Sequence, residues 1–231
     1  MADNASLNAQ NPNIVGFVSS VVGFIVSISL SAVGYANNAW IYIDRPIKHD
    51  EFQRGVRGHD CYKVDRGEDE VIRCLPWEFF DKGSKFPTPF NDILDPPLLM
   101  SVSKYLALAI LTLQLAWLIY AIAKCCCESF QKKAEIWEKL IFVANILTCF
   151  LFVVLLFFIF VLSFMDTIMI PIPENSTQKM GSGCFIFVIG GLVPFVAASY
   201  ISFKKQYRAI LGKKHESNHR NQDKEMERLN E

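Results

Sequence analysis

The sequence carries no surplus of either charge: 23 Lys+Arg stand against 23 Asp+Glu, and only 20% of the 231 residues are charged. That balance excludes the strongly basic surface of a nucleic-acid-binding protein and the high net charge of a disordered polyelectrolyte, so no nucleic-acid partner is expected. Also missing are a phosphate-binding loop, a dinucleotide fingerprint and a zinc-protease helix motif. No enzymatic activity, cofactor or metal is expected on that reading. What the chain has instead is apolar mass: 52% hydrophobic residues, with 19 Phe. These are gathered in blocks rather than in short periodic runs.

Four blocks lack Asp, Glu, Lys, Arg and His altogether: Ile14 to Ala36, Tyr105 to Ala123, Leu140 to Met165 and Cys184 to Phe203. Each is long enough to cross a hydrocarbon layer of about 30 Å as a helix. The expected architecture is an all-α membrane protein, a bundle of four transmembrane helices. No basic region precedes the first block, and its apolar stretch exceeds a signal-peptide core, so it reads as a retained anchor.

Four spans place both termini in one compartment. Residues 37–97 carry nine Lys/Arg against twelve Asp/Glu, whereas the loop 124–139 has four against three and the segment from Lys204 has eight against five. Basic residues close to the spans mark the cytoplasmic side. The expected order is a cytoplasmic N-terminus 1–13, spans 14–36 and 105–123 around a first extracellular loop 37–104, and a cytoplasmic loop 124–139. Spans 140–165 and 184–203 then flank a second extracellular loop 166–183, ahead of a cytoplasmic tail 204–231. Cys61 and Cys74, both in the first loop, fit a disulfide in an oxidising compartment, worth about 3 kcal/mol by loop closure; two free thiols are the alternative. Asn175-Ser176-Thr177 in the second loop is an N-glycosylation acceptor pattern, and a second match at Asn4 would lie in the cytosol. Cys125, Cys126 and Cys127 end the second span beside Lys124, a pattern read either as palmitoylation sites or as the small apolar end of a helix.

Helix association in lipid depends on close backbone approach and polar links. Ser19, Gly23, Ser27 and Ser31 form an expected helix-packing stripe in the first span, for contacts within the bundle or for a homo-oligomer. Gly190, Gly191, Ala197 and Ala198 do the same in the fourth, where Pro194 predicts a kink. Phe150, Phe152, Phe157, Phe158 and Phe160 give the third span a bulky surface for lipid or for a partner membrane protein. Gln114 and Asn145 are expected to bond between helices. No span holds an ionisable residue of the kind that proton relays and coupled transporters use, which disfavours the alternative of a small transporter or oligomeric pore.

The first extracellular loop is the one segment expected to fold outside the membrane. Ala39 to Ile43 and Glu70 to Leu75 favour strands, Gly55 to Gly58 and Arg66-Gly67 favour turns, and the prolines from Pro87 to Pro97 exclude strand pairing. A small antiparallel β-sheet stapled by Cys61 and Cys74 follows, with Trp40 and Trp77 as interfacial anchors or partner contacts. Three groupings resemble chemical sites and are read as structural. Gly181-Ser182-Gly183 has no intramembrane base, His59-Asp60-Cys61 loses its thiolate to the disulfide, and His215 with His219 lacks further ligands.

This layout resembles the superfamily of claudins, peripheral myelin protein, epithelial membrane proteins and calcium-channel γ subunits. Gly16-Phe17 and Gly23-Phe24 open the first span, and Trp40 starts the outer loop. Gly58-His59-Asp60-Cys61 stands where the family carries Gly-Leu-Trp followed by the first cysteine, and Cys74 matches the second. The Clc-like branch is similar in size and layout. His59-Asp60 replaces the family's Leu-Trp, and Arg228 to Glu231 differ from its hydrophobic scaffold-binding end. The resemblance implies a non-enzymatic plasma-membrane protein acting through protein contacts. It would serve cell-cell adhesion and barrier formation at junctions, or act as an auxiliary subunit of a channel or receptor. The partners implied are membrane lipid and a membrane protein, a channel, receptor or claudin-like chain.

Overall fold

The computed structural model describes residues 12–45, 50–65, 70–77, 98–126, 128–169 and 176–204. Helix α1 (Pro12–Ala36) opens on a proline, whose missing N–H is no loss in a first turn. Helix α2 (Leu98–Cys126) follows Pro96 and Pro97 in the sequence, residues with no N–H to give to a helical ladder. Helix α3 (Glu128–Met169) has 42 residues, which at ~1.5 Å each is about twice the thickness of a ~30 Å hydrocarbon layer. The fourth span is composite: α4 (Ser182–Phe185), a π-helical turn (Ile186–Gly190) and α5 (Gly191–Ser202). Pro194 lies within α5 and cannot bond the carbonyl four residues back, and the widened turn sits directly ahead of that gap.

Four stretches are long and apolar enough to cross a membrane: Gly16–Ala36, Leu98–Lys124, Trp137–Ser163 and Ser182–Ser202. The chain is a multi-pass membrane protein. Its second and third helices are longer than their charge-free blocks. Hydropathy ends a block at the first charge, whereas backbone hydrogen bonding continues through Lys104 in α2 and through the charged turns that open α3.

Outside the bundle lies one antiparallel sheet of strands β1 (Ile41–Arg45), β2 (Asp50–Gly55), β3 (His59–Asp65), β4 (Glu70–Pro76) and β5 (Thr177–Met180), in the order β4-β3-β2-β1-β5. Both expected strands are present. β2 and β3 lie between them, joined by a turn in which Gly58 has φ +91°, a conformation that favours glycine. β5, which the sequence analysis leaves in the second loop, adds to β1 with Ile41 opposite Met180 and Tyr42 opposite Lys179. Cys61 and Cys74 face each other across β3 and β4 and are disulfide-bonded. The expected fold is the observed one, with a sheet built from the segment after the first span and the segment before the fourth.

The buried apolar side chains form two layers. One, under the sheet, gathers Trp40, Ile41, Val56, Met100, Phe152 and Phe187; the other, at the far end, gathers Phe24, Trp117, Phe142, Phe195 and Phe203.

Candidate interaction surface

Strand alternation divides the sheet into two chemically distinct faces. Toward the bundle point Ile41, Ile43, Phe52, Arg54, Asp60 and Tyr62, all buried. Away from it lie the half-buried Tyr42, Asp44, Glu51 and Gln53 and the exposed Thr177 and Lys179. Burial first, then a hydrogen bond to Glu51 and the charges of Glu51 and Asp44, push the Tyr42 phenol well above its usual range. The outward face is a mixed polar surface with an aromatic at its centre.

Arg54 and Asp60, directly opposed in β2 and β3, form an ion pair with side chains 1% and 0% exposed. Arg54 Nη2 donates to Asp60 Oδ2 at 3.0 Å, and its Nε lies 3.2 Å from both carboxylate oxygens. Trp77 Nε1 donates to Asp60 Oδ1 at 3.0 Å, and the Lys104 ammonium lies 5.9 Å from the Trp77 ring centre. The carboxylate thus receives donors from two directions, as a buried charge requires. The sequence alone does not reveal this pair, because β2, Asp50–Gly55, has a single strong apolar residue, Phe52.

Trp40 fixes the sheet to the spans. It is fully buried, so its expected place at a membrane interface or partner contact is corrected. Its indole Nε1 donates to Gly34 O at 2.9 Å, its N–H to Arg54 O at 3.2 Å, and its carbonyl accepts from Gly181 N–H at 2.8 Å. Its ring packs on Phe187, 5.3 Å between centroids. Gly183 N–H reaches Ala39 O at 2.8 Å, and Asn37 Nδ2 reaches Ser182 Oγ at 3.3 Å. The Gly181-Ser182-Gly183 run is therefore a clamp between the first and fourth spans. Trp77 is half-buried.

Within the bundle, Gln114 Nε2 donates to Ser27 Oγ at 2.7 Å and Ser31 Oγ at 2.9 Å. Those hydroxyls pass the donation on to Gly191 O and Phe187 O of the fourth span. Asn145 Nδ2 reaches Ser199 Oγ at 3.0 Å. Gly23 faces the fourth span, where an added Cβ would fall 2.9 Å from that of Ala198. Ser19 is exposed and takes no part in the contacts within the bundle, where the neighbouring Ser20 bonds Ala198 O and Ser202 Oγ instead. A strict four-residue spacing outruns a helix of about 3.6 residues per turn, so Ser19 lies about 120° from Ser31, and Ser20 only about 20°.

Of the remaining expected sites, Cys126 is exposed at the end of α2, and Cys125 precedes it in the same turn. Cys127, Asn175, Asn4, His215 and His219 lie outside the described residues. Phe150, Phe157 and Phe160 are exposed along α3, Phe158 is half-buried, and Phe152 is buried against Phe187 and Phe195. His59, Asp60 and Cys61 do not converge, since successive strand residues face opposite sides. Among the described residues no group of three His, Cys, Asp or Glu side chains is placed to hold a metal.

The four spans, antiparallel sheet and Cys61–Cys74 disulfide fit the claudin-like layout. Compared with models of known protein families and with curated protein sequences, the chain matches none.

Proposed function

We propose that this is a non-enzymatic, claudin-like protein of the plasma membrane, related to the Clc-like branch, that works through protein contacts made by its outer sheet. Both termini would be cytoplasmic. The observation that carries the reading is the union of the two outer loops in one sheet, held to the spans through Trp40. A continuous sheet braced on a helix bundle suits a recognition surface better than two independent loops, because the ordering entropy of binding is spent in folding. The outward face around Tyr42, Glu51 and Lys179 would meet the partner, either a claudin-like chain on the same or an adjoining cell, or a channel or receptor as auxiliary subunit. Asn175 would carry the glycan on the outer side and Cys125, Cys126 and Cys127 the acyl groups on the inner side.

Purification of the full chain from native membranes in mild detergent tests the reading. Co-purification of a stoichiometric channel or receptor supports the auxiliary role, and self-assembly into strands in transfected cells supports the barrier role. Either should be lost in a Tyr42→Ala, Lys179→Glu double variant that still forms the disulfide. A lone monomer that conducts ions by itself after reconstitution would overturn it.

A further inference from the structure

At the end of the bundle opposite the sheet, one lysine lies over a pair of aromatic rings and two more stand on the neighbouring helices that carry those rings' packing partners. Phe203, fully buried at the close of the fourth span, stacks on Tyr120 with planes 7° apart and meets Trp117 and Phe142 at 6.1 and 5.7 Å. Lys124, one turn past Tyr120 on α2, lays its ammonium over both rings, 5.9 Å from the Tyr120 centroid and 5.7 Å from that of Phe203. Lys204 follows Phe203 directly, and Lys139 stands one turn before Phe142 on α3; both are exposed. None of the three pairs with a carboxylate among the described residues. Glu138, half-buried and close enough to Tyr120 for its charge to act on that ring, is the one acid among the side chains described at this end.

Ring faces attract an ammonium and hold it in place without neutralising its charge. Lys124 is thus a positioned, half-buried cation, with two exposed cations at the same end of the neighbouring helices. The apolar length of the spans ends here, so the cluster lies at the depth of the lipid headgroups. Exposed Ile122 and Leu140 continue the surface toward the hydrocarbon. We propose that Lys124, Lys139 and Lys204 together bind the phosphate of an anionic phospholipid, whose acyl chains run along α2 and α3. The assignment rests on the membrane-spanning fold and not on any protein partner.

Native mass spectrometry of the full chain in neutral detergent, titrated with phosphatidylinositol bisphosphate, tests it. Saturable binding is expected, weakened on the order of five-fold by each of Lys124→Gln, Lys139→Gln and Lys204→Gln, and on the order of a hundred-fold by all three. Lys124→Arg should keep the affinity, and Lys104→Gln at the sheet end should leave it unchanged. If Lys124→Gln fails to fold, the two exposed lysines carry the test. Undiminished binding by the triple variant, or equal binding of phosphatidylcholine, would overturn the proposal. So would full displacement by an equal concentration of soluble inositol phosphate, which would make the ligand a free phosphate. None of these outcomes depends on whether a protein partner co-purifies.

Discussion

Arg54 and Asp60 pair out of solvent on the buried face of the sheet, which also holds Ile41, Ile43, Phe52, Tyr62 and Asp50. Asp60→Ala takes the bidentate carboxylate away from a guanidinium that is 1% exposed, and should cost about 3–5 kcal/mol, read as a fall in thermal midpoint in detergent. Replacing both with apolar residues of similar volume should restore most of it. At Tyr42 the folded chain holds the phenolic proton to higher pH than the unfolded chain. Its contribution is therefore complete below the unfolded value of about 10 and is lost as pH rises through the raised folded value. Unfolding midpoints should stay level to about pH 9 and fall in stronger alkali, and Tyr42→Phe should lessen that fall. Ser19 and Ser20 give the sharpest contrast: Leu at Ser19 meets no neighbouring helix among the described residues, whereas Leu at Ser20 overpacks the contact with Ala198 and should cost about 1–3 kcal/mol.

At the scale of elements, the bundle is linked by polar donations as well as by apolar contact. Lipid tails are as apolar as leucine, so burial alone gives the spans little reason to choose one another. The chain from Gln114 through Ser27 and Ser31 to the fourth span ties three helices together. Gln114→Leu should cost only about 1 kcal/mol, because the same change also removes the buried, unpartnered Oε1. Gln114 and Asn145 were legible as interhelical residues, being polar side chains in otherwise apolar runs. The π-helical turn was not, because Gly190, Gly191 and Pro194 are equally compatible with a simple kink.

For the whole molecule, the consequential joint is β5 on β1. It draws the loop between the third and fourth spans into the first-loop sheet, so that movement of one loop engages the other. Lys179→Pro breaks the ladder opposite Tyr42 and should release the second loop to proteolysis while leaving the Cys61–Cys74 disulfide intact. Lys179→Ala should leave the protease pattern unchanged. A mass fingerprint of the digests compares the two. Thr177 to Met180 gave no strand signal of its own, since four mixed residues beside a membrane helix have neither the length nor the alternation that marks one.

Charge-free length fixed the number of membrane helices, because a span needs about 20 uncharged residues however its neighbours pack. Two cysteines and two β-rich segments also foretold a stapled sheet in the first outer loop. Only the tertiary structure decided which serine faces the fourth span, where Trp40 lies, that Arg54 and Asp60 neutralise one another, and that both loops share one sheet. Each of these depends on a partner far away in the chain. Local composition governs the transfer of a segment into lipid, whereas pairing across helices and strands is settled by geometry that no single segment contains.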